Sequence, residues 1–327
     1  MQFLDLLSQN LLSPAILFFA MGIFAGFLKS DLEIPNSISR YLSIYLMMAI
    51  GFKGGVAIAN THDLNGEVIG TITAGLAIGF LQPFLGYGLL RLTSKIDNPT
   101  AAAIAAHYGS ISIVTFATAA AFLNTNEIIY AGYIVAILAL MEAPAILSGL
   151  FIAHRAAPQT QNHVSEQKKL AREIFTNGAI LLLFGSFLIG WITGQPGMDK
   201  VEGFLSTPFQ GILCLFLLDM GLLVSKNLHQ IRALTWPLIL FGLYMPLIGA
   251  TIGLSASYII GLDVGTGTLF TVLCASASYI AVPAAMRLAL PEAKAAIYLP
   301  MSLAITFPFN VVLGIPLYYA LAKILLS

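Results

Sequence analysis

Charge is the scarcest property of this sequence. Lys, Arg, Asp and Glu together make up 9% of its 327 residues, where a soluble domain carries about 25%. That shortage excludes an ordinary water-facing surface. The few charges balance at 15 basic and 15 acidic, so there is no broad basic face and no nucleic-acid partner is expected. Cysteine is nearly absent: Cys214 and Cys274 both fall in apolar runs and lack metal-ligand spacing, so neither a metal site nor a disulfide between them is expected. The first residues include Asp5 but no early Lys or Arg. They lack the basic start of a signal peptide, and the first apolar run is expected to be a retained helix. No P-loop, Gly-x-Ser-x-Gly or metal-spaced His/Cys set occurs, so neither an enzyme, an organic cofactor nor ATP-driven transport is expected. Any coupling would come from an ion gradient.

What the chain has in quantity is hydrophobicity, 58% of residues with a mean hydropathy of +0.89. A helix needs about 20 mainly apolar residues to cross a bilayer. That ruler gives segments at 12–28, 37–59, 67–90, 100–123, 128–153, 174–193, 203–224, 234–260, 264–288 and 297–325. The one sizeable hydrophilic piece, 154–173, divides them five and five. Placing both termini outside puts nearly all Lys and Arg on cytoplasmic connections, with Lys200 and Lys323 outside and Lys53 inside the second segment. Five spans per half would insert the second half upside down. The predicted fold is an all-α polytopic membrane protein of ten transmembrane helices in two inverted five-helix repeats, N- and C-termini outside. Residues 1–153 form the first repeat, 154–173 a cytoplasmic linker and 174–327 the second repeat.

Echoes between the halves support the repeat. Ser110 and Ser112 lie 166 residues before Ser276 and Ser278, Gly149 lies 165 before Gly314, and Gly51 lies 170 before Gly221. The serine echo carries the candidate site. Gly109-Ser110-Ile111-Ser112, with Thr115 and Thr118 beyond, and Ala275-Ser276-Ala277-Ser278 both sit mid-membrane. Lipid cannot satisfy hydroxyls there, so these stretches are expected to face protein, a cavity or a solute. A helix break near Gly109 or before Pro283 would also free backbone groups, and opposed helix N-termini would make a positive well for a small anion. The alternative is that the small residues simply allow close helix packing.

Four ionisable residues fall inside predicted spans: Lys53, His107, Glu142 and Asp219. Lys53 and Asp219 are expected to form a structural or gating ion pair rather than a substrate site. Glu142, followed by Ala143-Pro144, suits a sodium ion or a coupling proton, or else an interhelical hydrogen bond. His107, one turn before Ser110, is expected to be packed and hydrogen-bonded, with proton sensing the alternative.

Several of these stretches together resemble one family. They are Ile50-Gly51-Phe52-Lys53-Gly54-Gly55, Gly109 through Thr115, Met141-Glu142-Ala143-Pro144-Ala145, Ala275-Ser276-Ala277-Ser278, Pro283, Arg287 and Gly314-Ile315-Pro316-Leu317. The whole chain resembles the sodium-dependent bicarbonate transporter family of cyanobacteria and other bacteria. The resemblance implies ten helices in two inverted repeats, a homotrimer in the bacterial inner membrane, and a PII-like cytoplasmic regulator. It implies bicarbonate and Na+ bound where the fourth and ninth helices meet. Gly109, Ser110, Ser112, Thr115, Ala275, Ser276 and Ser278 would serve the anion, and Glu142, Thr115, Ser276 and Ser278 the cation. Tyr279 stands where the family typically has Asp, and Val114 where it has Ser. The expected function is sodium-dependent bicarbonate symport. The alternatives are a proton-coupled or sodium-independent carrier of another small anion, and a non-transporting membrane sensor on the same fold.

Overall fold

The computed structural model describes residues 3–60, 65–156, 178–231, 234–279, 282–283, 286, 290 and 292–327. Among them there is no strand; all regular structure is helical. In chain order the helices are α1 (Phe3–Leu11), α2 (Pro14–Phe27), α3 (Asn36–Ala59), α4 (Gly66–Thr93), α5 (Asn98–Gly109) and α6 (Ile113–Thr125). They continue as α7 (Ile134–Ala156), α8 (Gly178–Leu205), α9 (Phe209–Ile231), α10 (Trp236–Ile260), α11 (Val264–Ala275) and α12 (Ala295–Leu325).

Seven helical stretches among the described residues are long and apolar enough to cross a membrane, or eight if α1 and α2, bent by 62°, form one span. That is fewer than the ten segments hydropathy suggests, for reasons visible in particular elements. The first segment, 12–28, is α2 alone, too short to count by itself; α1 precedes it and is set off by Ser13, whose hydroxyl accepts from the Ile16 N–H, with Pro14 opening α2. The ninth shrinks to α11, which stops at Ala275. The expected break at Gln195-Pro196-Gly197 becomes a kink, with Gly194 at φ 55° and the helix running on through Pro196 to Leu205. The linker residues 157–177, and Arg287, lie outside the described residues.

Two helix pairs form one side of the molecule: α2 packs on α9 and α3 on α8. Small residues let the backbones touch. A Cβ at Gly22 would collide with the Leu218 carbonyl oxygen, and one at Gly221 with that of Phe19, the close approach that membrane helices use in place of a hydrophobic driving force. Gly51 does the same against Leu183 of α8. The Gly149–Gly314 echo has no such likeness. Gly149 meets Ala106 of α5, whereas Gly314 faces Asn310 and Tyr318 of its own helix.

The other side gathers α4, α5, α7, α10, α11 and α12. Here α12 carries π-helical stretches at Met301–Thr306 and Asn310–Gly314, a local widening that often marks functional positions. The span Asn98–Thr125 is the most enclosed, with 94% of its most apolar window buried.

The expected Lys53–Asp219 ion pair is not formed. The Lys53 ammonium lies 4.6 Å over the Phe209 ring, while an Asp219 carboxylate oxygen accepts a short hydrogen bond from the Ser39 hydroxyl. Ser39 and Lys53 are 14 residues apart on α3, about 21 Å along a helix at 1.5 Å per residue. The antiparallel course of α3 and α9 therefore places the two charges at opposite ends of their contact. Each has found a local partner: a ring face for the cation and a hydroxyl for the carboxylate.

Candidate functional site

The span from Asn98 to Thr125 is broken at Ser110-Ile111-Ser112. Helix α5 ends at Gly109, Ser110 and Ser112 are extended, and α6 begins at Ile113. The second Ser-x-Ser stretch is broken likewise. Helix α11 ends at Ala275 and Ser276 is extended. Val282 and Pro283 are helical again, so the interruption begins before Pro283, at the serines themselves.

The two breaks touch. The Ser112 N–H donates to Ser276 Oγ at 2.9 Å, and the Ser278 N–H donates to the His107 carbonyl at 2.9 Å. Ser112 also caps α6: its Oγ accepts from the Thr115 N–H at 3.2 Å and from Thr115 Oγ1 at 2.9 Å. Ser276 Oγ donates in turn to the Leu273 carbonyl at 2.9 Å. The Val282 N–H reaches Ser278 Oγ at 3.5 Å, a longer counterpart of the Ser112 cap. Ser110, Ser112, Thr115, Ser276 and Ser278 are all buried. Ser110 differs from the rest, because its buried hydroxyl has no hydrogen-bond partner among the described residues.

Several neighbours escaped the sequence reading. Gln82, on α4, sends its amide nitrogen to the Tyr108 carbonyl at 2.6 Å and the Cys274 carbonyl at 2.8 Å. Asn310, on α12, donates to the Ala275 carbonyl at 2.9 Å and accepts from the Tyr318 hydroxyl at 2.8 Å. These amides satisfy carbonyls that helix ends leave without intrahelical donors. Behind them, the Tyr108 hydroxyl bonds Thr306 Oγ1 at 2.6 Å, and Thr306 donates to the Gly242 carbonyl at 2.7 Å. A neutral amide in mid-membrane was the available signal; attention to ionisable residues alone passes over it.

Helix packing at the breaks is close on both sides. A Cβ on Gly109 would run into the Pro83 ring, and one on Gly249 of α10 into the Cys274 carbonyl. The chain resolves the same crowding with a glycine on the break in one case and on the neighbouring helix in the other.

His107 is fully buried. Its Nδ1 lies 2.6 Å from the Ala103 carbonyl, its ring stacks on Tyr298 at 4.6 Å between centroids, and its Nε2 has no partner within the protein. Tyr279 packs its ring on Phe307 at 5.2 Å, and its hydroxyl faces the Ser112 side chain without completing a well-aligned hydrogen bond. Glu142 lies within α7, but its side chain is outside the described residues. Lys53 and Asp219 are not part of this cluster.

A cleft of about 300 Å³ runs along α6, its mainly apolar wall (Ala121, Phe122, Cys214) carrying the polar side chains of Asn10, Thr118 and Gln210. Thr118, on its wall, is one turn along α6 from Thr115, which hydrogen-bonds the Ser112 hydroxyl. Among the described residues no cluster of His, Cys, Asp and Glu could hold a metal ion. Among the described residues, the crossing offers hydroxyls, backbone groups and a helix N-terminus.

Buried apolar helices interrupted in mid-span, with polar groups converging at the interruption, define a polytopic membrane protein of the transporter class. A search of curated proteins finds no match to the chain. Residues 14–323 match the Na+-dependent bicarbonate transporter superfamily, nearly the whole chain, and the protein belongs to that family.

Proposed function

We propose that the protein is a secondary transporter that moves bicarbonate together with sodium, holding the solutes where the two broken helices cross. The observation that carries the reading is the pair of reciprocal bonds, Ser112 N–H to Ser276 Oγ and Ser278 N–H to the His107 carbonyl. They bring polar groups from distant halves of the sequence to one buried place. The α6 N-terminus there favours an anion without a permanent positive charge, a balance that permits release as well as binding. Serine and threonine hydroxyls serve either ion, since they both donate and accept. Gly109, Ser110, Ser112, Thr115, Ala275, Ser276 and Ser278 are the proposed anion site. Thr115, Ser276, Ser278 and Glu142 are the proposed ligands of Na+.

The proposed architecture is ten spans in two inverted five-helix halves with both termini outside, in a bacterial inner membrane. Two observations support it. The offset of 166 joins the outer ends of the broken helices as well as the serines: Asp97 and Thr100 correspond to Asp263 and Thr266. In each pair the aspartate caps the helix by accepting from the threonine N–H at 2.9 Å. The helix pairing is also exchanged between halves, α2 with α9 and α3 with α8, as a pseudo-two-fold axis would require. A homotrimer and a PII-like regulator are proposed on the resemblance alone.

The test is uptake of labelled bicarbonate into proteoliposomes. We expect an inward sodium gradient to drive accumulation and its collapse to abolish it. Equal uptake with and without sodium would reject the coupling and favour a sodium-independent or proton-coupled carrier. Tyr279 favours that second reading, because a phenol facing Ser112 is a weaker cation ligand than a carboxylate. Binding in detergent without flux would reject transport and leave a sensor.

A further inference from the structure

Among the described residues, Gln82 is the one side chain that bonds the carbonyl ends of both broken helices. Tyr108 and Cys274, its two acceptors, each lie one residue before the last helical residue, Gly109 or Ala275. They are themselves 166 residues apart. The amide orientation follows from chemistry, because both acceptors are carbonyls and only the NH2 can face them. Gln82 is 5% exposed, and its Oε1 has no partner within the protein, so the side chain is committed to this place at the cost of a buried, unpaired acceptor.

Helix C-termini carry partial negative charge and N-termini partial positive charge. At a crossing of two broken helices, the two sets of ends compete over what the site attracts. Uncapped, the carbonyls of Tyr108 and Cys274 would present negative ends beside an anion. The Gln82 NH2 donates one hydrogen to each and quenches both.

We propose that Gln82 is a positioning residue of the solute site: it clasps the carbonyl ends of α5 and α11, fixes the register of the two breaks, and screens those ends from a bound anion. The anion-site part of this rests on the functional reading above; the clasp does not. Gln82 would act through the two helix ends rather than by touching the solute. Removing the NH2 would free two carbonyls, loosen the Ser112 and Ser278 crossing bonds together, and shift the site's preference away from anions.

The test uses the full-length protein and three variants. Gln82→Met keeps length and bulk and removes both donors, Gln82→Glu keeps the shape with acceptors only, and Gln82→Asn keeps the amide on a shorter reach. Hydrogen exchange of segments 108–112 and 274–278, measured without solute, should accelerate at least tenfold in both for Gln82→Met. In flux assays the half-saturating bicarbonate concentration should rise at least tenfold in Gln82→Met and further in Gln82→Glu, with Gln82→Asn between wild type and Gln82→Met. A merely structural role would lower thermal stability and maximal rate while leaving half-saturation unchanged. Unchanged exchange in either segment, or wild-type half-saturation in a folded Gln82→Met, overturns the proposal. If Gln82→Met does not fold, unchanged exchange and half-saturation in Gln82→Asn overturn it equally. Wild-type protein that moves no bicarbonate sinks the functional reading, and the exchange result alone then decides whether the clasp exists.

Discussion

In the first helix break the Ser112 hydroxyl caps the helix that follows it, taking both the N–H and the hydroxyl of Thr115. In the second, the Ser276 hydroxyl reaches across to the first break and accepts the Ser112 N–H. Ser276 has the sequence counterpart Ser110, whose hydroxyl is buried and has no partner among the described residues. Residues equivalent by position are therefore not equivalent by use. One member of the pair is tied into the scaffold, and its counterpart has no hydrogen-bond partner among the described residues. A shared frame allows two backbones to cross at one depth, while its asymmetries decide which groups are left for chemistry.

That division ranks the serine substitutions. Ser112→Ala should have the largest effect, because it removes the cap of α6 and both Thr115 bonds at the crossing. An N-cap is worth about 1 kcal/mol, within a range of roughly 0.5–2. We expect a lowered melting temperature together with an at least tenfold loss of bicarbonate uptake. Ser276→Ala should follow in lost transport, although its cost in stability is the larger of the two. It leaves the buried Ser112 N–H without its acceptor, a penalty of about 1–3 kcal/mol, but α6 keeps its cap. Thermal unfolding and flux of the two variants side by side check the order; a Ser276→Ala protein more impaired in transport than Ser112→Ala would reverse the assignment.

The breaks themselves were legible in the sequence, because Ser-x-Ser in an apolar run has no satisfactory place in lipid. The fourth segment is cut at Ser110 to Ser112, beside Gly109, and the ninth at its own serines, ahead of Pro283. Proline alone does not break these helices: Pro83, Pro144 and Pro196 all lie inside them, where membrane neighbours resatisfy the freed groups. The Lys53–Asp219 pairing was misread because spacing from two echoing glycines says nothing of position along the helix axis. Gln82 and Asn310 stayed hidden because their importance lies in which carbonyls they reach, and that depends on how α4 and α12 pack against the breaks. The Asp-x-x-Thr caps were readable at the same offset as the serines, within stretches that looked only like loop punctuation.

Ser110→Ala sharpens the comparison from the other side. The hydroxyl has no protein partner to lose, so stability should stay within about 0.5 kcal/mol of wild type. If it donates to a bound anion, its loss should weaken half-saturation by about two- to tenfold, the worth of one net hydrogen bond. Unchanged stability with unchanged half-saturation would place Ser110 outside the site; a clear loss of stability would show that it holds the scaffold as Ser276 does.

The smallest effect belongs to the outer ends of the broken helices. Asp97 caps α5 and meets the Lys294 ammonium at 3.1 Å, while Asp263 caps α11 and accepts from Thr266 Oγ1 at 2.5 Å. The threonine hydroxyls then accept main-chain N–H groups, from Lys294 at 3.1 Å and from Ala131 at 2.8 Å. Asparagine caps a helix as well as aspartate does, so Asp97→Asn removes little beyond an ion pair whose side chains are 62% and 36% exposed. Such pairs contribute about 0–1 kcal/mol. Partial burial pushes the Asp97 carboxyl upward, but its hydrogen bonds from Thr100 and the nearby Lys294 ammonium outweigh that and hold it below the usual carboxylate range. Its contribution is thus fully present above the ordinary aspartate value near 4 and disappears only as pH falls through the lowered one. Thermal unfolding of Asp97→Asn should differ from wild type by no more than about 1 kcal/mol at pH 7, with the gap unchanged down to pH 5 and closing at more acid values. A gap that closes between pH 7 and pH 5 would mean that another group, not Asp97, sets the strength of this end.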